Sequence, residues 1–151
     1  PLLDDAWGVL AAASTPVVLH AGSGPVPATY TGPAPVADLL ARHPRLRLVI
    51  AHAGAPEYCE FLELAERHDL VGLDTTMAFT DFFSEMGGAY PADLLPRLRD
   101  LGLAGKVFLG SDFPNIPYPY EHQLEALARL DLGDAWLRAV CWENASALLG
   151  E

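Results

Sequence analysis

The chain has 151 residues, enough for one domain, 1–151, with a sizeable core. It is 51% hydrophobic and 19% charged, with 13 glycines and 13 prolines, a globular and loop-rich composition. A net charge of −11 argues against a nucleic acid or an anionic membrane as partner, and no apolar run approaches the ~20 residues of a membrane span. No basic stretch leads into an apolar one, as a secretory signal would. The two cysteines, Cys59 and Cys141, fit a reducing compartment, so the expected location is cytoplasmic.

Pro1 to Ala13 places Leu3, Trp7 and Leu10 on one helical face, with Asp4 and Asp5 in the first turn, where the helix dipole favours acids. Val17 to Leu19 reads as a strand that ends at His20-Ala21-Gly22. Ser23 to Pro35 is a Gly/Pro/Thr-rich loop, long for a simple connection and therefore a candidate binding loop. Val36 to Arg42 is a helix stopped by Pro44. Arg47 to Ala51 is a second strand, ending at His52-Ala53-Gly54.

Pro56 to His68 is helical, with Phe61, Leu64 and Ala65 inward and Glu57, Glu60 and Glu63 read as a solvated face. Val71 to Leu73 is a third strand, ending at Asp74. Thr75 to Tyr90 is an aromatic-bearing excursion with room for one short helical piece. Pro91 to Leu101 is the next helix. Val107 to Leu109, after a Gly-containing turn, is a fourth strand that stops at Gly110-Ser111-Asp112, and Pro114 forbids further ladder pairing. After a Pro/Tyr loop, Glu121 to Leu130 and Ala135 to Leu149 close the chain as helices, the last with Trp136, Val140, Ala147 and Leu148 on one stripe.

Apolar strands separated by helices specify an α/β fold with a parallel sheet of βα units. In such a sheet the carboxyl ends emerge together, so His20, His52, Asp74 and Asp112 can converge although far apart in sequence. Imidazole and carboxylate are ligands for zinc, manganese or iron, and an unligated histidine is a natural general base. Each residue also has a plain structural role open to it: a satisfied histidine, or an aspartate in a turn. His43 and His68 read as helix C-terminal cations, His122 opens a helix, and Asn144 ties down a neighbouring backbone.

The segments Leu-Val-Ile-Ala-His-Ala-Gly, Val-Phe-Leu-Gly-Ser-Asp-Phe-Pro and Trp-Glu-Asn-Ala-Ser-Ala-Leu-Leu-Gly, in that order, resemble the amidohydrolase superfamily. More closely, they resemble the branch of aminocarboxymuconate-semialdehyde decarboxylase and related decarboxylases and hydrolases. The resemblance runs from Pro16 to Gly150. It implies a metal-dependent (β/α)8 TIM barrel in which these strands are the fifth to eighth, the C-terminal half. It also implies His20 as a metal ligand, His52 as the group that orients or activates the metal-bound water, and Asp112 as a further ligand and proton shuttle. One divalent metal ion is expected, zinc first, with manganese or iron as alternatives. The His-x-His pair that the superfamily carries on its first strand is absent here. Lys106, the only lysine, precedes its strand at the opposite face, so a lysine-bridged dinuclear centre is not expected.

The strand-end segments carry no arginine or lysine but hold Tyr30, Phe79, Phe82 and Tyr118, which with Asp74 are the substrate-loop candidates. Two readings follow. In the first the chain is part of a metal-dependent hydrolase or non-oxidative decarboxylase acting on a small carboxylate, lactone or amide. Its partners are then that small molecule and either the missing N-terminal half-barrel or a second copy. In the second it is an inert half-barrel that acts as an interaction module.

Overall fold

The structure, a computed structural model, describes residues 2–150. Pro1, with which the predicted first helix begins, lies outside the described residues, as does Glu151. Four short strands form one parallel sheet in sequence order: β1 (Val17–Leu19), β2 (Leu48–Ile50), β3 (Val71–Asp74) and β4 (Val107–Phe108). Val17 pairs with Leu48, Leu48 with Val71, and Leu73 with Val107, so the strands are in near register and their carboxyl ends align. Helices α1 (Asp4–Ala12), α2 (Pro33–Arg42), α3 (Tyr58–Arg67) and α5 (Leu95–Leu103) alternate with the strands, and a one-turn α4 (Asp81–Phe83) lies in the excursion after β3.

Side-chain alternation divides the sheet into two faces. Leu48, Ile50, Val71, Leu73 and Val107 pack with the helices into one buried cluster that also holds Phe61, Leu62, Leu98 and Trp136. Val18, Val49 and Phe108 stand outside that cluster, and Val18 on edge strand β1 is 65% exposed. That face is the one a closed barrel turns toward its interior.

Helix α2 begins at Pro33, earlier than the sequence pattern predicts. Both Pro33 and Pro35 fit its first turn, where no N–H is required. In α3 the predicted inward residues Phe61, Leu64 and Ala65 are buried, and Leu62 joins them. The closing helix differs most from expectation. After α6 (Tyr120–Ala128), the chain forms α7 (Asp134–Arg138), a π-turn at Ala139–Glu143 and α8 (Asn144–Leu149). The wider turn shifts the helical phase. Trp136 and Val140 remain fully buried, Ala147 becomes exposed, and Asn144 swings into the interior.

Asn144 then does what its position suggests. Its Nδ2 donates to Gly102 O at 2.9 Å and to Val107 O at 2.7 Å, joining α5 to β4. At the same end of the sheet, Lys106 Nζ donates to Ala65 O and His68 O at 3.0 and 3.1 Å, closing the C-terminus of α3. His43 and His68 are the residues that end α2 and α3. Cys59 and Cys141 are partly buried against the core. Among the described residues no helix is long and apolar enough to cross a membrane.

Replacing Asn144 by alanine strands the buried Val107 carbonyl and takes one of the donors from Gly102 O, which also accepts from Gly105 N. It is expected to lower unfolding stability by about 2–3 kcal/mol, read from the denaturant midpoint at unchanged slope.

Candidate functional site

After Ile50 the chain does not leave β2 smoothly. It turns through Ala51–Gly54 with His52 (φ 57°, ψ 30°) and Ala53 (φ 51°, ψ 19°) both left-handed. For residues with a Cβ this costs about 1–2 kcal/mol each. Asp112 (φ 58°) and Met77 (φ 57°) share the conformation. Of the six such non-glycine residues described, four therefore lie just beyond strand ends. Backbone strain gathered at one rim of a sheet is a mark of function.

The kink at His52 is held by Asp74. Its Oδ1 accepts from His52 N at 2.9 Å and from Thr76 N at 2.9 Å, and the residue is only 7% exposed. The end of β4 presses on the same place: a Cβ on Gly110 would lie 2.1 Å from Thr76 Oγ1 and 2.9 Å from Asp74 Cγ, so only glycine fits. Asp74 is therefore a structural anchor of the site.

The imidazoles are placed by main-chain carbonyls. His52 Nδ1 lies 3.1 Å from Thr76 O. A carbonyl only accepts, so Nδ1 carries the proton and Nε2 keeps its lone pair. His20 Nε2 lies 3.2 Å from Gly24 O, which by the same reasoning leaves the His20 lone pair on Nδ1. The two rings meet edge to face, 4.8 Å between centroids. Phe83 lies parallel to His52, at 6.5 Å and 12°. Two strand-end histidines are thus brought together, each with one nitrogen committed to the backbone and one available.

Asp112 is exposed in its left-handed turn, where its carbonyl accepts from Asn115 N at 2.7 Å. Tyr118 follows in the same loop, against Phe82 (6.0 Å) and His122 (4.9 Å). Burial pushes the Tyr118 phenol above its ordinary range, Thr80 works against that rise, and the neighbouring Asp112 carboxylate adds to it. The Tyr118 hydroxyl is buried without a hydrogen-bond partner among the described residues.

The remaining loop candidates divide. Tyr30 is 87% exposed, whereas Phe79 is buried in the core against Tyr90, centroids 5.0 Å apart. Tyr58, beneath Tyr90, donates to Gly88 O at 2.5 Å and so ties α3 to the excursion. Among the described residues no group of three or more His, Cys, Asp or Glu side chains gathers as a cation site.

The sequence reading missed Glu57. It accepts from Ser23 N at 3.0 Å and from the Ser23 hydroxyl, and is half-buried, not part of a solvated face. The available signal was position: Glu57 precedes α3, in the same strand-end loop as His52, whereas Glu60 and Glu63 lie on the helix.

The family profile described as Amidohydrolase matches residues 1–150. The chain belongs to the amidohydrolase family. Three solved structures extend the comparison. An uncharacterised TIM-barrel protein from Bordetella bronchiseptica matches with a TM-score of 0.79 at 22% identity, over 98% of this chain and 50% of that one. A dihydroorotase from Campylobacter jejuni matches at 0.66 and 17%, over 97% and 50%. A probable 2-pyrone-4,6-dicarboxylic acid hydrolase from Acinetobacter baumannii matches at 0.65 and 18%, over 100% and 58%. At these identities the likeness is one of fold, and this amidohydrolase chain spans roughly half the length of the barrels it matches. No curated protein matches it. The four-stranded parallel sheet is accordingly a partial TIM barrel.

Asp74→Ala removes the acceptor of two buried N–H groups. The expected loss is about 3–6 kcal/mol, with a smaller loss for Asp74→Asn, which keeps an acceptor oxygen; chemical denaturation of the two variants measures both.

Proposed function

We propose that this chain furnishes part of the active centre of a metal-dependent hydrolase acting on a small carboxylate, lactone or amide. Non-oxidative decarboxylation is the neighbouring reaction that the same residues could serve. The observation that carries the reading is the histidine pair. A metal-ligating histidine characteristically donates its other ring N–H to a carbonyl or carboxylate. His20 makes such a bond to Gly24 O and His52 to Thr76 O.

The donor chemistry fits a divalent ion of the zinc class, with manganese or iron as alternatives. His20 and Asp112 are the residues that would hold it. When bound, such an ion polarises a substrate oxygen and lowers the pKa of water. His52 is the proton acceptor in this scheme, because the Thr76 carbonyl fixes the proton on Nδ1 and leaves Nε2 basic. The exposed Asp112 carboxylate takes up and returns a proton beside the Tyr118 phenol. Phe83, parallel to His52, and Phe82, packed on Tyr118, supply apolar surface for the body of the substrate.

Two candidate donors are fewer than the three protein ligands a catalytic zinc takes. The rest of the coordination sphere must come from a complementary half-barrel or a second copy, the partners this reading requires. The open edge at β1, with Val18 exposed, also favours the second reading, an interaction module without chemistry.

Zinc titration of the assembled barrel separates the two. His20→Ala and Asp112→Ala should each lose most metal, whereas His52→Ala should keep it and lose turnover by roughly 100-fold or more. Full metal occupancy in His20→Ala would overturn the ligand assignment. Assembly without metal binding in the unaltered chain would establish the interaction module.

A further inference from the structure

The loop that carries His20 is fastened to the loop that carries His52 by a contact outside the sheet. Glu57 is the N-cap residue of α3, yet its carboxylate makes no hydrogen bond to that helix's own N–H groups. It reaches instead to Ser23, where Oε2 accepts the backbone N–H at 3.0 Å and Oε1 accepts the hydroxyl. Ser23 is 9% exposed and Glu57 half-buried, so both bonds are partly shielded from water.

The backbones approach closely at the same place. A Cβ on Gly22 would fall 1.9 Å from Ala55 O, so the first loop rests directly on the second. Gly24, the residue after Ser23, supplies the carbonyl that holds His20 Nε2. Gly32 N donates to Ala21 O at 2.6 Å and draws the far end of the loop back to its start. An unbroken path therefore runs from the His20 ring through Gly24 and Ser23 to Glu57 and the start of α3. Among the described residues, Glu57 is the side chain that hydrogen-bonds one histidine loop to the other.

We infer that Glu57 is a positioning residue: by clasping Ser23 it sets the His20 imidazole against His52 before any ligand arrives. The inference rests on the proposed role of His20 as a metal ligand only for its functional consequence, since the clasp itself is a matter of loop geometry. A carboxylate suits the task because both its oxygens accept. Its charge is also favoured at the N-terminus of α3. Glutamine keeps one acceptor for the Ser23 N–H and presents an amide to the hydroxyl, which can accept as well as donate.

The test compares Glu57→Ala, Glu57→Gln and Ser23→Ala in the full chain. Proton NMR of the metal-free protein follows the cross-peak between the His20 and His52 rings and the hydrogen exchange of the Ser23 amide. Glu57→Ala should lose the cross-peak and expose the amide, and Glu57→Gln should retain both. Ser23→Ala, which removes only the hydroxyl leg, should weaken the cross-peak partly. Where Glu57→Ala fails to fold, the order glutamine above Ser23→Ala carries the same decision.

Zinc affinity of the assembled barrel should then fall about 10–100-fold in Glu57→Ala and recover in Glu57→Gln, as expected for a residue behind a ligand. A cross-peak and amide exchange unchanged from the parent in both Glu57→Ala and Ser23→Ala would overturn the clasp. If the clasp signals change as expected while His20→Ala leaves zinc affinity untouched, Glu57 still positions the loop, and it is the metal-ligand role of His20 that falls.

Discussion

The buried carboxylate of Asp74 is the constraint on which the site depends. One of its oxygens receives the N–H groups of His52 and Thr76, and these two bonds hold adjoining strand ends in conformations they would not choose alone. Charge-assisted bonds of this kind contribute about 1.5–3 kcal/mol each. The left-handed pair His52 and Ala53 costs about 2–4 kcal/mol together. The bonds are thus of the size needed to keep the kink. Once Thr76 is held, its carbonyl meets His52 Nδ1, and the protonation pattern of the imidazole follows from the backbone.

The two ends of the sheet divide their work. At the amino end, Lys106 and Asn144 satisfy carbonyls of α3, α5 and β4, and their bonds serve the assembly of strand and helix. At the carboxyl end, polar side chains hold loops instead: Asp74 the His52 turn, Glu57 the His20 loop, Tyr58 the excursion after β3. Residues at that rim are pinned by neighbours from other strands, which limits how far the ring of either histidine can stray. The same division explains why a lysine at position 106 has no place in the chemistry.

Sequence alone makes the parallel sheet legible, because short apolar runs such as Val17–Leu19 and Leu48–Ile50 alternate with helical periodicity. It also points to a candidate site, since His20 and His52 end equivalent strands. Three things lie beyond it. The π-turn at Ala139–Glu143 leaves no trace in a pattern that reads as one continuous helix. The burial of Phe79 depends on Tyr90 folding back over it, a contact the intervening residues do not announce. The partnership of Glu57 with Ser23 joins loops 34 residues apart, and only the close approach of their backbones creates it. Periodicity reports which way a residue faces along its own element. It is silent on contacts made between loops.

The central claim is that the backbone imposes opposite tautomers on two touching histidines, freeing Nε2 of His52 and Nδ1 of His20. Long-range nitrogen–proton correlation spectra of the imidazole rings, recorded near neutral pH on metal-free protein, read this directly. The account predicts a protonated Nδ1 in His52 and a protonated Nε2 in His20. A His52 ring protonated on Nε2 would contradict it, because the nitrogen assigned as the base would then hold no lone pair.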